Sequence, residues 1–288
     1  MRVLTLIAFC VFALGQEPPK AHFHHIHLNA TDPAAAIRFY TGKFDCEKGK
    51  FAGQIDAVRT QQSWILFTKV KDAPPSDIVS AIWHFGWGAE DMRVAYRKQL
   101  DSGTPFQTPI TDISGLAGKP PGSFFFAYVD GPDHALIELN TASHHRFGHV
   151  HLLSEDPVAA GEWYKKHFGL TGYIGRQPRV YHGVQVEPFA SLMMDNVNII
   201  IFPVGYARDA LPDLWKDRKT FESTKGRVVD HLAFGVDDLR GTLARLQSGG
   251  VKVTEPSANI RGSRIRSAFI QGPDRIRIEL VEGQAYKQ

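Results

Sequence analysis

The chain has 288 residues, which is enough for about two domains of common size. Hydrophobic residues make up 43% of the chain and charged residues 22%, as in an ordinary globular protein. The formal net charge is only +3 and lysine and arginine form no cluster, so the sequence predicts no nucleic-acid partner.

Residues 1–15 have the pattern of a secretory signal peptide. Arg2 supplies a positive charge, a short apolar stretch follows, and small residues end the segment. The apolar stretch is shorter than a typical membrane-spanning helix. We expect an exported protein, periplasmic or extracellular, that begins near Gln16 and has no membrane partner after cleavage. The alternative is a buried N-terminal strand or helix. Cleavage would leave Cys46 as the remaining cysteine, which excludes an intrachain disulfide and a cysteine-based metal site.

Strand and helix patterns alternate from residue 22 onward. The first unit predicts a strand, a helix and two further strands, over Phe23–Asn29, Pro33–Phe44, Gln54–Thr60 and Ser63–Val70. After a proline-containing linker the second unit shows the same order, over Ala81–Gly88, Asp91–Leu100, Phe124–Val129 and Ala135–Asn140. Each unit fits a βαβββ module best, with two strands located after each helix and a third expected.

The second half of the chain repeats the first. Three short motifs return in order: His24-His25-Ile26-His27 as Gly148-His149-Val150-His151, Asp32-Pro33 as Asp156-Pro157, and Gly131-Pro132-Asp133 as Gly272-Pro273-Asp274. In both halves the aspartate before proline is expected to cap a helix. The sequence therefore predicts an α+β fold of four duplicated βαβββ modules, with two-module domains at residues 22–143 and 147–283 and an irregular insertion at Gly205–Lys225.

These features resemble the vicinal oxygen chelate superfamily, which includes glyoxalase I, extradiol dioxygenases and bleomycin-resistance proteins. The resemblance rests on the paired βαβββ units, a histidine near the start of the first strand, the Gly-Pro-Asp turn and a closing strand with Ile-Glu-Leu. It covers residues 22–283 and implies that paired modules form open barrels. It also implies a divalent metal in the cleft, held by ligands from the first and last strands.

Carried over to this chain, the resemblance implies two sets of metal ligands. The C-terminal set would be His149, His231 and Glu279, and the N-terminal set His25, His84 and Glu138. Two imidazoles and a carboxylate leave coordination positions open for substrate, and such a set suits Fe²⁺, Zn²⁺, Ni²⁺ or Mn²⁺. The alternative is that the histidines are satisfied polar residues in a cleft wall and that Glu138 and Glu279 face solvent on the closing strands.

Two further histidines lie on the same strand faces, two residues after the expected ligands. Alternation along a strand gives His27 the orientation of His25, and His151 that of His149, so we expect second-shell partners or substrate contacts, with a register slip of two as the alternative. His182 is placed on the second strand of the third unit, where it would face the cleft as an acid or base. The alternative is an exposed histidine at the edge of the sheet.

The departures from the family pattern bear on the reaction. Glyoxalase I has a further carboxylate on the last strand of its leading unit, whereas the corresponding runs here, Ser63–Phe67 and Asn198–Phe202, contain none. Extradiol enzymes carry a tyrosine ten residues before the glutamate, where it assists the substrate hydroxyl. The resemblance thus implies a catalytic role for Tyr128 in one half, whereas the other half has Phe269 at this position. Neither half has the full extradiol set.

The resemblance thus implies a metal-dependent enzyme whose small substrate chelates the metal through vicinal oxygens. With iron the expected reaction is ring-cleaving dioxygenation, and with a redox-silent metal it is isomerase or lyase chemistry. The alternative is a non-catalytic protein of the bleomycin-resistance type that binds a small molecule. Export favours a redox-silent metal, because iron(II) would have to be kept reduced outside the cytoplasm.

Overall fold

The computed structural model describes residues 20–287, so the predicted signal peptide lies outside the described residues. Between residues 20 and 287 the chain forms sixteen β-strands and six α-helices, and the predicted α+β fold of four βαβββ modules is confirmed. Module 1 comprises β1 (His22–Ala30), α1 (Pro33–Lys43), β2 (Glu47–Phe51), β3 (Ile55–Arg59) and β4 (Trp64–Lys69). Module 2 comprises β5 (Ile82–Ala89), α2 (Met92–Asp101), β6 (Phe106–Asp112), β7 (Phe125–Asp130) and β8 (Leu136–Thr141).

The second half of the chain has the same order of elements. Module 3 comprises β9 (Phe147–Ser154), α3 (Pro157–Phe168), β10 (Thr171–Tyr181), β11 (Val184–Met194) and β12 (Val197–Pro203). The insertion that was predicted to be irregular contains α4 (Val204–Ala210) and α5 (Pro212–Trp215). Module 4 comprises β13 (Val229–Val236), α6 (Leu239–Ser248), β14 (Val253–Asn259), β15 (Arg266–Gln271) and β16 (Arg277–Glu282). None of the helices between residues 20 and 287 is long and apolar enough to cross a membrane.

Aspartate caps start the module helices, as predicted. The Asp32 carboxylate accepts a hydrogen bond from the backbone N–H of Ala35, and Asp156 accepts one from Ala159. Each satisfies a donor that the first helical turn leaves unpaired, and the following proline loses nothing because its position needs no N–H.

The strands form two eight-stranded sheets that combine the modules in an unexpected way. One sheet has the order β14-β15-β16-β13-β1-β4-β3-β2 and contains modules 1 and 4; the other has the order β10-β11-β12-β9-β5-β8-β7-β6 and contains modules 2 and 3. The predicted domains at 22–143 and 147–283 paired modules 1 with 2 and 3 with 4, so this pairing is corrected. The joins are the antiparallel pairs β1–β13 and β5–β9 between first strands, contacts so distant in sequence that no local pattern specifies them.

Consecutive modules meet instead through the Gly-Pro-Asp turns. Asp133 in module 2 accepts hydrogen bonds from the backbone N–H and the hydroxyl of Thr31 in module 1, at 3.0 and 2.7 Å. Asp274 in module 4 accepts one from the Glu155 N–H in module 3, at 3.1 Å. Both aspartates have positive φ angles of 53°, a conformation that aspartate tolerates better than most residues. The repeated motif therefore joins one sheet to the other.

Candidate functional site

The predicted ligands gather in two centres, one in the middle of each sheet. The first centre comprises His25 and His27 on β1, His231 on β13 and Glu279 on β16. The second centre comprises His84 on β5, Glu138 on β8, and His149 and His151 on β9. Apart from half-buried His27, all of these side chains are buried.

The grouping of the six expected ligands differs from the predicted one. His25 was expected with His84 and Glu138, yet it meets His231 and Glu279 in the first centre. His149 correspondingly lies beside His84 and Glu138 in the second centre. The first-strand histidines are thus exchanged between the halves, because the first strands of modules 1 and 4, and of modules 2 and 3, pair with each other.

Three ligand atoms converge closely in the first centre. Glu279 Oε2 lies 3.1 Å from Nε2 of His25 and 3.1 Å from Nε2 of His231, and the two Nε2 atoms are 3.4 Å apart. The His27 ring stacks on that of His231, with centroids 4.6 Å apart, and its buried Nδ1 has no hydrogen-bond partner in the described residues. His27, expected as a second-shell residue, therefore offers a free nitrogen at the centre.

A polar network lies behind the first centre. Asp230 Oδ1 lies 2.6 Å from Nδ1 of His231 and accepts a hydrogen bond from Nη1 of Arg277 at 2.5 Å. Burial alone would lower the pKa of His231, but its hydrogen bonds to Asp230 and Glu279 raise it above the ordinary value. Neither Asp230 nor Arg277 was singled out from the sequence; the only local signal was an aspartate directly before the histidine.

Among the described residues, the second centre has more buried ring nitrogens without a hydrogen bond than the first. His84 Nε2 lies 2.8 Å from Glu138 Oε2 but outside hydrogen-bond geometry, so both ring nitrogens of His84 lack a hydrogen bond among the described residues. Nε2 of His149 and Nδ1 of His151 are buried and unpartnered as well. Leaving so many buried polar atoms unpaired is costly, and a divalent cation bound to imidazole and carboxylate would satisfy them. The donor set of this centre therefore fits a metal ion.

Burial keeps the imidazoles of the second centre neutral. Desolvation lowers the pKa of His149 to about 4 and holds the pKa values of His84 and His151 well below the ordinary value. A neutral imidazole has the free lone pair that a metal ligand needs. Gly86 leaves the necessary room, because a Cβ there would lie 2.5 Å from Nε2 of His149.

The strand beside each pair of histidines carries no carboxylate, as expected. Leu66 on β4 is paired with His27, and Ile200 on β12 with His151. His27 and His151 thus add a third imidazole on the side where a further carboxylate is missing. Three neutral imidazoles and one carboxylate would leave a divalent cation with a residual positive charge, which favours binding of an anionic oxygen ligand.

A cavity of about 240 Å³ opens onto the second centre. Glu138, His151 and Tyr128 are in its wall, and most of the remaining lining is aromatic or aliphatic: Trp83, Phe124, Phe126, Phe189, Phe202 and Tyr206 are among its residues. The aromatic residues of this cavity come from modules 2 and 3 together and from the insertion that follows module 3. Tyr206 comes from the insertion helix α4, which the sequence did not predict.

Two catalytic candidates were named from the sequence, and only one lies at a centre. The Tyr128 ring packs against His84 with centroids 5.0 Å apart, and burial together with Glu138 and Tyr206 raises the pKa of its phenol well above the ordinary value. His182 is exposed in the turn between β10 and β11, with a positive φ of 50°, so its prediction as a strand residue facing the cleft is wrong. Its neighbour Gly183 completes that turn, a signal that the strand interpretation overlooked.

The first centre opens into a wider and more polar groove of about 760 Å³. Thr68, Arg261, Glu255 and Arg277 line it together with Phe269, which replaces the tyrosine at the position corresponding to Tyr128. Arg277 lies over the Phe269 ring, with its guanidinium carbon 3.5 Å from the centroid. The two centres therefore share their ligand types and differ in their surroundings.

Comparisons with known proteins point to one family. The profile of a family described as the Glyoxalase/Bleomycin resistance protein/Dioxygenase superfamily matches residues 22–139 and 146–280. The chain is 32% identical over 62 residues to a lactoylglutathione lyase of Haemophilus influenzae, covering 22% of this chain and 46% of the relative. It is 30% identical over 84 residues to a probable lactoylglutathione lyase of Vibrio parahaemolyticus, covering 28% and 61%. The chain spans about half the length of these relatives.

Solved structures support the fold over nearly the whole chain. Glyoxalase I from Zea mays superimposes with a TM-score of 0.67 at 15% identity, covering 92% of this chain and 93% of the other. A putative dioxygenase from Bacillus subtilis gives a TM-score of 0.62 at 14% identity, covering 92% and 86%. At such identities the similarity concerns the fold alone.

Proposed function

Because the chain belongs to the Glyoxalase/Bleomycin resistance protein/Dioxygenase superfamily, we propose that it is a metal-dependent enzyme acting on a small substrate with two adjacent oxygen atoms. The observation that carries this proposal is the second centre, where three buried imidazoles and a carboxylate place their ligand atoms within 4.8 Å of one another. Three imidazoles with unpaired nitrogens and a carboxylate, all buried together, would be destabilising unless they bind something.

His84, His149, His151 and Glu138 would hold the metal in the second centre. When bound, a divalent metal supplies Lewis-acid stabilisation of negative charge on a substrate oxygen. Tyr128 is a nearby group that can act on a proton: its raised pKa keeps the proton on the phenol oxygen, from which it can donate a hydrogen bond to a substrate oxyanion. The apolar wall of the cavity would exclude water from that interaction.

We place the reaction at the second centre rather than the first. Its cavity is small and mostly apolar, and it brings Tyr128 next to two ligands, whereas the corresponding residue of the first centre is Phe269. The relatives named above are lyases, which favours lyase or isomerase chemistry, as does the predicted export with its demand for a redox-silent metal. Ring-cleaving dioxygenation is the second candidate, supported by the position of Tyr128 beside His84.

The test combines metal analysis with activity on two substrate classes. The purified protein is loaded with Zn²⁺, Ni²⁺, Mn²⁺ or, anaerobically, Fe²⁺, and assayed with glutathione hemithioacetals and with catechols. We expect metal-dependent turnover that Glu138→Gln abolishes and that Tyr128→Phe lowers by about 10²-fold without loss of bound metal. Glu279→Gln is the matched change in the first centre and should retain turnover.

Absence of bound metal under every loading condition would refute the proposal. If such metal-free protein still bound small aromatic molecules in the cavity, the non-catalytic function of the bleomycin-resistance type would replace it. Turnover that is lost in Glu279→Gln and kept in Glu138→Gln would move the reaction to the first centre.

A further inference from the structure

The two centres differ in the residues that stand behind their ligands. Tyr128 and Asn140 of the second centre correspond to Phe269 and Val281 of the first, but at four other repeat-equivalent positions a polar residue of the first centre is replaced by a non-polar one in the second. The pairs are His24 and Gly148, Thr68 and Phe202, Asp230 and Trp83, and Arg277 and Leu136.

In the first centre these polar residues fix the imidazole rings. Nδ1 of His24 lies 2.8 Å from Nδ1 of His25, and Thr68 Oγ1 lies 2.8 Å from Nε2 of His27. Asp230 lies 2.6 Å from Nδ1 of His231 and is itself held by Arg277 and by the backbone N–H of Gly226. A partner on the far nitrogen fixes the tautomer and orientation of a ligand histidine and makes it a stronger donor.

In the second centre two of these positions, Trp83 and Phe202, supply cavity wall instead. Trp83 packs edge-on against His84, with ring centroids 4.5 Å apart, and Phe202 stacks on His151 at 5.5 Å. Both rings line the 240 Å³ cavity. No hydrogen bond among residues 20–287 reaches Nδ1 of His84, the atom that corresponds to the Asp230-bound nitrogen of His231.

We propose that the two centres bind divalent metal with different affinities. The first is a tight, resident site in which Asp230, Thr68 and His24 are positioning residues; the second is a weaker, exchangeable site whose orienting partners have been replaced by substrate-binding surface. The proposal rests on the metal binding proposed above. Loss of one such partner typically lowers metal affinity by about 10- to 100-fold, so the two sites should differ by at least about tenfold.

The experiment is a Co²⁺ titration of the chelator-stripped full chain in competition with a chromophoric chelator, with tryptophan fluorescence recorded in parallel. We expect two binding steps, and quenching of Trp83 by the paramagnetic ion should accompany the weaker one, because its ring contacts His84. A Trp83→Phe variant identifies that signal. Asp230→Asn should weaken the tight step by about 10- to 100-fold and leave the weaker step unchanged.

Two further variants distinguish an effect on the metal site from misfolding of the Asp230→Asn variant. Thr68 is exposed, so Thr68→Val should fold normally and still weaken the tight step. Asp56→Asn, an exposed aspartate on β3, is the matched control and should change neither step. The inference would be overturned if the two binding steps had equal affinities. It would also be overturned if the tight step were the one that quenches Trp83 and were unchanged in Asp230→Asn. Either result would leave the proposed function intact. If no Co²⁺ binds, both fail.

Discussion

The metal-free protein should lose stability when the pH falls from 7 to 5, and His149 should account for a defined part of the loss. In the unfolded chain an imidazole takes up its proton near pH 6.5, but in the fold burial lowers the pKa of His149 to about 4. Between these values the unfolded state binds more protons, so stability rises with pH across the window and is lost as pH falls through it.

The size of the effect follows from the pKa difference. Between pH 7 and pH 5 the loss from His149 is about 2 kcal/mol, and it approaches about 3 kcal/mol below pH 4. Burial also lowers the pKa values of His84 and His151, so their contributions have the same sign. The assay is urea unfolding of chelator-treated protein at both pH values, with His149→Gln as the variant. His149→Gln should reduce the pH-dependent loss by about 2 kcal/mol; an unchanged loss would show that His149 is not buried in a neutral state.

Two other substitutions test the packing of the site and the joint between the sheets. A methyl group at Gly86 would lie 2.4 Å from the Glu138 carbonyl oxygen, so Gly86→Ala should destabilise the fold and reduce metal binding. The control is Gly42→Ala, where a Cβ would meet nothing within 4 Å and metal binding should be unchanged. Metal analysis and thermal melts measure both variants. Asp133→Ala removes both hydrogen bonds to Thr31 and should cost about 2 kcal/mol in urea unfolding; a loss below 0.5 kcal/mol, roughly the size of an ordinary surface change, would contradict the importance of the turn.

Much of the fold could be predicted because the repeat and the helix caps are local. Asp32 and Asp156 fix helix starts, and the buried strands carry the apolar runs from which they were predicted. The strand β2 (Glu47–Phe51) was missed because it lies at a sheet edge, where most of its residues are exposed and polar. The edge strand β14 (Val253–Asn259) was missed for the same reason.

The candidate site was predictable in its residues and not in their grouping. The family resemblance implied the ligand residues, and alternation along the first strands placed His27 on the face of His25 and His151 on the face of His149. Which His-x-His motif lies beside Glu138 depends on whether β5 pairs with β9 or with β1. Either pairing would give β5 a backbone hydrogen-bond ladder and keep its side chains alternating between the two faces of the sheet. The exposed turn at His182 was mistaken for strand because Tyr181 and His182 continue an apparent β pattern.

The composition of each centre is the central claim, and metal analysis of paired variants tests it most directly. Protein with His84→Ala and His149→Ala should lose the metal of the second centre and keep that of the first, whereas His25→Ala with His84→Ala should damage both centres. A variant with His134→Ala and His145→Ala, two exposed histidines outside both centres, should bind as the parent does. The contradicting result would be the reverse: His25→Ala with His84→Ala removes the metal of one centre only, and His84→Ala with His149→Ala reduces the metal of both. The ligands would then be grouped by consecutive modules, and the grouping of modules 1 with 4 and 2 with 3 would be wrong.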